Sequence, residues 1–401
     1  MSGLLVSPGT DSRRTILLLA VAQALYSCCI ITVFATAGLV GLDIAPSPGY
    51  ATLPITTFVL GAMFTTVPAS LLMQRVGRKP IFIVGACASI VGALLAVWSI
   101  VTANFVAFCF ATALQGVFQA TSGFYRFAAA EVSDEKTKSI AISWVLTGGV
   151  VAAVAGTLIS SGASDIFAPY TFAGSYAAAS VLALANIGVV YLLNIPKPTA
   201  IHADGAARPW SELLQQKRMI VAMAAAMISY ALMNLMMTAA PVAMIGCGFT
   251  KTDASWVVQW HVLAMFVPSF FTGQLILRYG AERITAIGVV VLMLAAAAGL
   301  AGITFGHFAV ALVLLGLGWN FGFIGGTTML TDCYRPSERG KVQAANDLGI
   351  SILMAIASSS AGLILADWGW HIVPMALFPP AAIALMLLAW LKLAQFQPAA
   401  E

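Results

Sequence analysis

Charge is what this chain has least of. Its 401 residues include 19 Lys and Arg and 15 Asp and Glu, 8% charged in all, where a soluble domain carries roughly a quarter. A water-soluble body of this size needs more charged surface than that, and 60% of the residues are hydrophobic. A soluble enzyme, a nucleic-acid binder and a disordered scaffold are all disfavoured on that ground. Motifs of catalysis and nucleotide binding are missing too: no H-E-x-x-H, no G-x-S-x-G and no G-x4-G-K-[ST] occurs. The six cysteines, Cys28, Cys29, Cys87, Cys109, Cys247 and Cys333, show no C-x2-C spacing. They read as small buried hydrophobes, with no metal site and no cofactor expected. Of the four histidines, His202, His307 and His371 fall in loops or at helix ends, which leaves His261 inside an apolar run.

What the chain does have is hydrophobic length. A bilayer core about 30 Å thick takes about 20 apolar residues as a helix. Twelve such runs are present, at roughly 15–41, 50–73, 80–101, 104–130, 139–161, 169–194, 219–245, 253–277, 283–303, 306–331, 338–365 and 370–394. They are continuous rather than alternating, and only a helix satisfies its own backbone within one segment in lipid. The expected fold is therefore an all-α integral membrane protein of twelve transmembrane helices. The first run follows Arg13-Arg14, is too long for a signal-peptide core and lacks a small-residue cleavage site, so it reads as a retained span. The stretch 196–217 is the one polar, Pro/Gly/Ala-rich interruption. It divides the chain into an N-terminal six-helix bundle, 1–195, a cytoplasmic linker, 196–217, and a C-terminal six-helix bundle, 218–401.

Basic residues orient the spans. Seventeen of the nineteen fall in the termini and alternate loops of one side, with Lys251 opposite and Arg126 inside a span. Both termini are expected on the cytoplasmic side. Trp98, Trp256, Trp368, Trp370 and Trp390 stand near helix ends, where interfacial anchors are expected.

The two halves repeat. Arg75-x-Gly77 closes span 2 and Arg278-x-Gly280 closes span 8, 203 residues on. Glu131 ends span 4 with Lys138 seven residues later; Asp332 ends span 10 with Arg339 seven later, an offset of 201. Six spans is an even number, so this is a parallel repeat about an axis along the membrane normal.

On these residues the chain resembles a major facilitator superfamily transporter over nearly its whole length. That family's loop signature is G-x-x-x-D-R-x-G-R-K, and here it reads Ser70-Leu71-Leu72-Met73-Gln74-Arg75-Val76-Gly77-Arg78-Lys79. Ser70 replaces the glycine and Gln74 the acid; the second half keeps the glycine as Gly273 but has Leu277 at the acidic position. The proline of the family's antiporter motif is missing from Gly148–Thr157. The segments Tyr125–Glu131, Pro268–Gly273 and Lys341–Asp347 look like a bacterial subgroup that includes riboflavin-transporter-like proteins. The resemblance implies two bundles rocking about a site near the midplane, with alternating access and energy from a solute or proton gradient.

Ionisable groups at membrane depth are costly unless paired, which makes each a functional candidate. Glu131 and Asp332 are expected to gate, Glu131 with Arg75 or Arg78 and Asp332 with Arg278 or Arg283, together with Gly77, Lys138, Gly280 and Arg339. Gln115, Gln119, Ser122 and Arg126 recur at helical spacing on span 4. Trp319 and Asn320 stand at the matching level of span 10, Tyr230 and Asn234 share a face of span 7, and Gln23 and Ser27 one of span 1. These line a substrate cavity or tie helices together. Asp347 is a proton-coupling carboxylate or a latch to Arg75 or Arg78, and His261 is a second coupling candidate. Import of a small polar or weakly anionic organic solute, possibly vitamin-like, leads; proton-coupled efflux of drugs or metabolites is the alternative. The partners expected are a small-molecule substrate, protons and the lipid bilayer of a bacterial inner membrane, with no nucleic acid, the protein acting as a monomer.

Overall fold

The computed structural model describes residues 10–46, 50, 53–134, 137–195 and 207–396. Lys136 and Lys197, counted for orientation, and linker residues 196–206 lie outside them. Every regular element among the described residues is helical, as continuous apolar runs require in lipid.

In the first half, α1 (Thr10–Ile44), α2 (Leu53–Val76) and α3 (Arg78–Val101) are followed by α4 (Phe105–Ser122) and α5 (Tyr125–Glu131). The fifth run comprises α6 (Lys138–Leu146), α7 (Gly148–Val151), a π-helical turn (Ala152–Gly156) and α8 (Thr157–Gly162); α9 (Ala173–Tyr191) is the sixth. A short α10 (Trp210–Leu213) precedes α11 (Lys217–Gly246), α12 (Lys251–Phe266), α13 (Ser269–Tyr279), α14 (Ala281–Leu300) and α15 (Phe305–Thr331). The chain closes with α16 (Arg339–Trp368), α17 (Ile372–Met375) and α18 (Phe378–Phe396).

Ten helical segments among the described residues are long and apolar enough to cross a bilayer, and α12 with α13 makes an eleventh, bent by 40° at a break. Pro268 explains the break, since its ring removes a backbone donor and crowds the preceding turn. The twelfth expected span is α16, 30 residues long. Its first turns carry Arg339, Lys341, Gln343, Asn346 and Asp347, so it is less apolar than its neighbours although a helix of that length reaches across the core.

The repeat is visible in the backbone. Gly77 (φ 92°) joins α2 to α3, and Gly280 (φ 87°) joins α13 to α14. A single residue with positive φ reverses the chain at both places, a conformation that costs glycine nothing and other residues more.

The chain forms two compact units. One gathers Met1–Glu135, Trp144–His202 and Gly340–Ser351; the other gathers Lys136–Ser143, Ala203–Arg339 and Ile352–Glu401. Each therefore takes a short segment from the other half of the sequence. In the first unit, α2 and α4 touch at Gly116, where a Cβ would stand 2.1 Å from the Phe58 carbonyl oxygen. Small residues at such crossings are what let helices approach in lipid, where water does not drive them together.

Candidate functional site

Most of the polar side chains that matter in the first unit surround the N-terminal turns of α16. α4 stops at Ser122, and Gly123 and Phe124 form a turn before α5. That break frees the Gly123 carbonyl, and Arg126 Nη1 donates to it at 2.9 Å. Arg126 Nη2 donates to Asp347 Oδ1 at 2.5 Å, and the guanidinium carbon lies 4.5 Å from the centre of the Phe127 ring. Asn346 Nδ2 donates to the same carboxylate oxygen at 2.9 Å. Both charged side chains are largely buried, a placement that needs pairing and hydrogen bonds. A turn at Gly123 and Phe124, both with right-handed helical backbone, separates Arg126 from Gln115, Gln119 and Ser122 of the expected stripe.

Arg78, at the start of α3, grips Glu131 through two bonds, Nε to Oε2 at 2.9 Å and Nη2 to Oε1. Planar fork against carboxylate is the strong form of this contact. Arg78 Nη2 also donates to Gln343 Oε1 at 2.9 Å. Asp347, for its part, hydrogen-bonds to Arg126 and Asn346, so the expected latch from Asp347 to Arg75 or Arg78 is replaced. Gln343, one helical turn earlier, takes that place on Arg78 because Arg126 already occupies the carboxylate.

The two departures from the loop signature find a physical reason here. Ser70 donates its hydroxyl to the Gly340 carbonyl at 2.7 Å, and the Gln74 amide lies where a Cβ on Gly340 would be. In the second unit the parts are exchanged. Ser139 donates to the Gly273 carbonyl at 3.1 Å, and a Cβ on Gly273 would stand 2.6 Å from Ile140 Cα. Each contact needs one glycine and one hydroxyl, and the repeat carries them on opposite sides.

Asp332 takes a different partner from those expected. Arg218, in the first turn of α11, donates to Asp332 Oδ2 at 3.2 Å and to Glu282 Oε1 at 2.6 Å. Arg278 instead lies over the Tyr279 ring, 5.2 Å from its centre. Arg75 ends α2, Arg283 lies in the first turn of α14, and Lys138 and Arg339 open α6 and α16. A second carboxylate in that loop, which carries no signal in the sequence, is Glu338, and it is fully buried. It accepts from Arg208 Nε at 2.7 Å, Arg208 Nη2 at 2.6 Å and the backbone N–H groups of Arg208 and Arg335. The Arg208 guanidinium holds this carboxyl at about 2, down from 4.5.

Several expected cavity residues turn out to be ties between helices. Gln115 is fully buried; it accepts from Ser89 Oγ at 2.6 Å and donates to the Ser89 carbonyl at 3.2 Å, joining α4 to α3. Asn320 is fully buried too. It donates to the Met265 carbonyl and Ser269 Oγ at 2.6 and 2.7 Å and accepts from Thr272 at 2.6 Å. It satisfies the backbone and hydroxyls exposed by the break at Pro268, with both amide hydrogens donated and the side chain fully buried. His261 is buried, with Nδ1 2.7 Å from the Leu312 carbonyl; a carbonyl only accepts, so Nδ1 carries the proton. Trp370, read as an interfacial anchor, is buried and donates to the Gly299 carbonyl at 2.9 Å.

Gln119 is half-buried and accepts from the Tyr26 hydroxyl; Tyr26 gave no signal in the sequence beyond adjacency to Ser27. Gln23 donates to Ser27 at 3.2 Å, and Ser122 is buried. In the second unit Trp319 stacks on Phe323 with 5.0 Å between ring centres, and Tyr230 meets it edge-on at 5.4 Å. Asn234 donates to the Met354 carbonyl at 3.1 Å.

The family model for the Major Facilitator Superfamily matches residues 17–244 and 222–400. The chain is 42% identical over 385 residues to the riboflavin transporter RfnT of Brucella anthropi, covering 95% of this chain and 96% of that one. It is 26% identical to the MFS-type transporter YdeG of Bacillus subtilis, over 88% of this chain and 86% of the relative. Among solved structures, the E. coli fucose:proton symporter FucP superposes with a TM-score of 0.74 at 15% identity, over 97% of this chain and all of that one. The human organic anion transporter MFSD10 gives 0.75 at 11%, over 95% and 100%. At those identities the likeness is one of fold. Helices, repeat and relatives agree: this chain belongs to the major facilitator superfamily of membrane transporters.

Proposed function

We propose that the protein imports riboflavin, or a small organic solute with a similar planar ring and polar side chain, by proton-coupled alternating access. The observation that carries this reading is the 42% identity to a riboflavin transporter along 95% of the chain. The chemistry of the side chains suits it. In the first unit Arg126 and the half-buried Gln119 offer donors and acceptors for ring carbonyls and hydroxyls, and in the second the half-buried Tyr230 offers an aromatic ring. Arg126 with Asp347 serves as the coupling pair, a cation whose counter-charge is a titratable acid. Arg78, held in place by Glu131, reaches Gln343 of the second repeat and serves as a gate between the repeats 1–195 and 218–401; the Arg218–Asp332 pair braces the matching loop end within the second repeat. The setting is a bacterial inner membrane with both termini cytoplasmic, the protein acting as a monomer.

The test is complementation. Expressed in a bacterial riboflavin auxotroph that lacks its own importer, the protein restores growth on low external riboflavin, and Arg126→Ala does not. Growth no better than that of the empty-vector strain, with the protein present in the membrane, overturns the substrate assignment.

A further inference from the structure

Asp347 makes both of its hydrogen bonds through one oxygen. Oδ1 accepts from Arg126 Nη2 and from Asn346 Nδ2. Oδ2 faces Gly123, where even a Cβ would stand 3.7 Å away. Asn346 is fully buried, and its own amide oxygen has no hydrogen-bond partner. A buried acceptor left without a donor is unfavourable and calls for an explanation. Its neighbour explains it: an ionised carboxylate has no proton to give, and a protonated one has.

We propose that Asn346 is the positioning residue for the coupling proton on Asp347; this deepens the proton-coupled reading above and rests on it. One proton from the aqueous phase adds to Oδ2, and the new O–H donates to the Asn346 amide oxygen. The Asn346 N–H keeps its bond to Oδ1, so acid and amide close a two-bond ring. No other bond forms or breaks, and the same proton leaves to water when Asp347 ionises again. The charged groups that bear on Asp347 are Arg126 of α5 and Arg78 of α3. Arg78 is committed to Glu131 and Gln343, so the group that responds is Arg126. It keeps the Gly123 carbonyl through Nη1 and turns Nη2 towards a substrate acceptor once Asp347 is neutral. The amide thereby stabilises the protonated state that an apolar side chain would leave without a partner.

The experiment combines infrared difference spectra between acid and neutral pH with riboflavin transport in proteoliposomes, for wild type, Asp347→Asn, Asn346→Leu and Asn346→Ser. The protonated-carboxyl band that disappears in Asp347→Asn belongs to Asp347. It lies at a hydrogen-bonded frequency in wild type, moves up in Asn346→Leu, and moves less in Asn346→Ser, whose hydroxyl still accepts. Asn346→Leu loses about tenfold in accumulation driven by a pH gradient, one neutral hydrogen bond's worth, while riboflavin exchange at equal pH stays within about twofold. An unmoved band in Asn346→Leu overturns the assignment of Asn346, as does an equal loss of exchange and accumulation, which marks a structural role. If Asp347→Asn accumulates riboflavin like wild type, the proton-coupled reading fails as well.

Discussion

Arg126 and Asp347 meet at 2.5 Å across 221 positions of sequence, joining a residue of the first repeat to one of the second. No counterpart of Arg126 exists in the second repeat, where the equivalent position is Thr327. Repeat symmetry in the packing therefore does not account for the arginine. Its two outer nitrogens are already divided between a broken-helix carbonyl and a carboxylate, an arrangement that uses the planar fork. Arg126→Lys keeps the charge and loses the fork. Both Arg126→Lys and Arg126→Ala are expected to reduce riboflavin uptake at least about tenfold while still inserting and folding. Initial uptake rates normalised to membrane protein check this, and near-normal uptake by the lysine variant would reduce Arg126 to a charge-balancing role.

Glu131→Gln replaces a two-point ion pair with Arg78 by a neutral contact, weakening it by about 1–3 kcal/mol. Thiol labelling of Ser133→Cys, in a background from which all six native cysteines have been removed, should speed up as the closed form loses stability. Wild-type labelling and wild-type transport in Glu131→Gln would remove the gate.

Asn320→Ala leaves the Met265 carbonyl and the hydroxyls of Ser269 and Thr272 without their partner at a buried break, so it should destabilise by at least about 2 kcal/mol. Thermal unfolding in detergent measures this. The same variant should transport at a near-normal rate at low temperature, because Asn320 is fully buried and both its amide hydrogens are already donated. Loss of riboflavin binding with unchanged thermal stability would return Asn320 to the site.

How much of this was legible in the sequence follows from what lipid demands. Continuous apolar runs announce helices because nothing else satisfies a backbone there, so the helices were readable, α16 included, though α16 is less apolar than the other spans. The α4–α5 break at Gly123 was not, since one glycine in an apolar run gives no boundary. Arg126 and Asp347 stood out because charges at that depth are rare. Asn346 did not, because an uncharged amide beside an acid carries no such signal. Arg218 gives no sequence signal as the partner of Asp332, because proximity along the chain favours Arg278 and Arg283 and says little about a partner 114 positions away. Gln115 and Asn320 share composition and spacing with a cavity lining; only the neighbours Ser89 and Ser269 show them to be ties.

Glu338 sets a pH dependence whose sign is fixed by its environment. The folded carboxyl lies at about 2, below its ordinary 4.5. Its contribution to stability is therefore full above the ordinary value and is lost as pH falls from there towards 2. Limited proteolysis near Arg208 should change little between about pH 7 and 5, above the ordinary carboxylate value, and should rise below it. Glu338→Gln should be cut faster at every pH, and equal cutting of variant and wild type would show that the Arg208 contact does not hold this segment.

The central claim is that a pH gradient drives riboflavin inward through a cycle that uses Arg126 and Asp347. Labelled riboflavin uptake into proteoliposomes of the purified protein, with the exterior acidic and then with equal pH, tests it most directly. The account predicts accumulation above the external concentration only with the gradient, abolished by a protonophore and absent in Asp347→Asn. Uptake that equilibrates to the same level with and without the gradient, in wild type and variant alike, would contradict it.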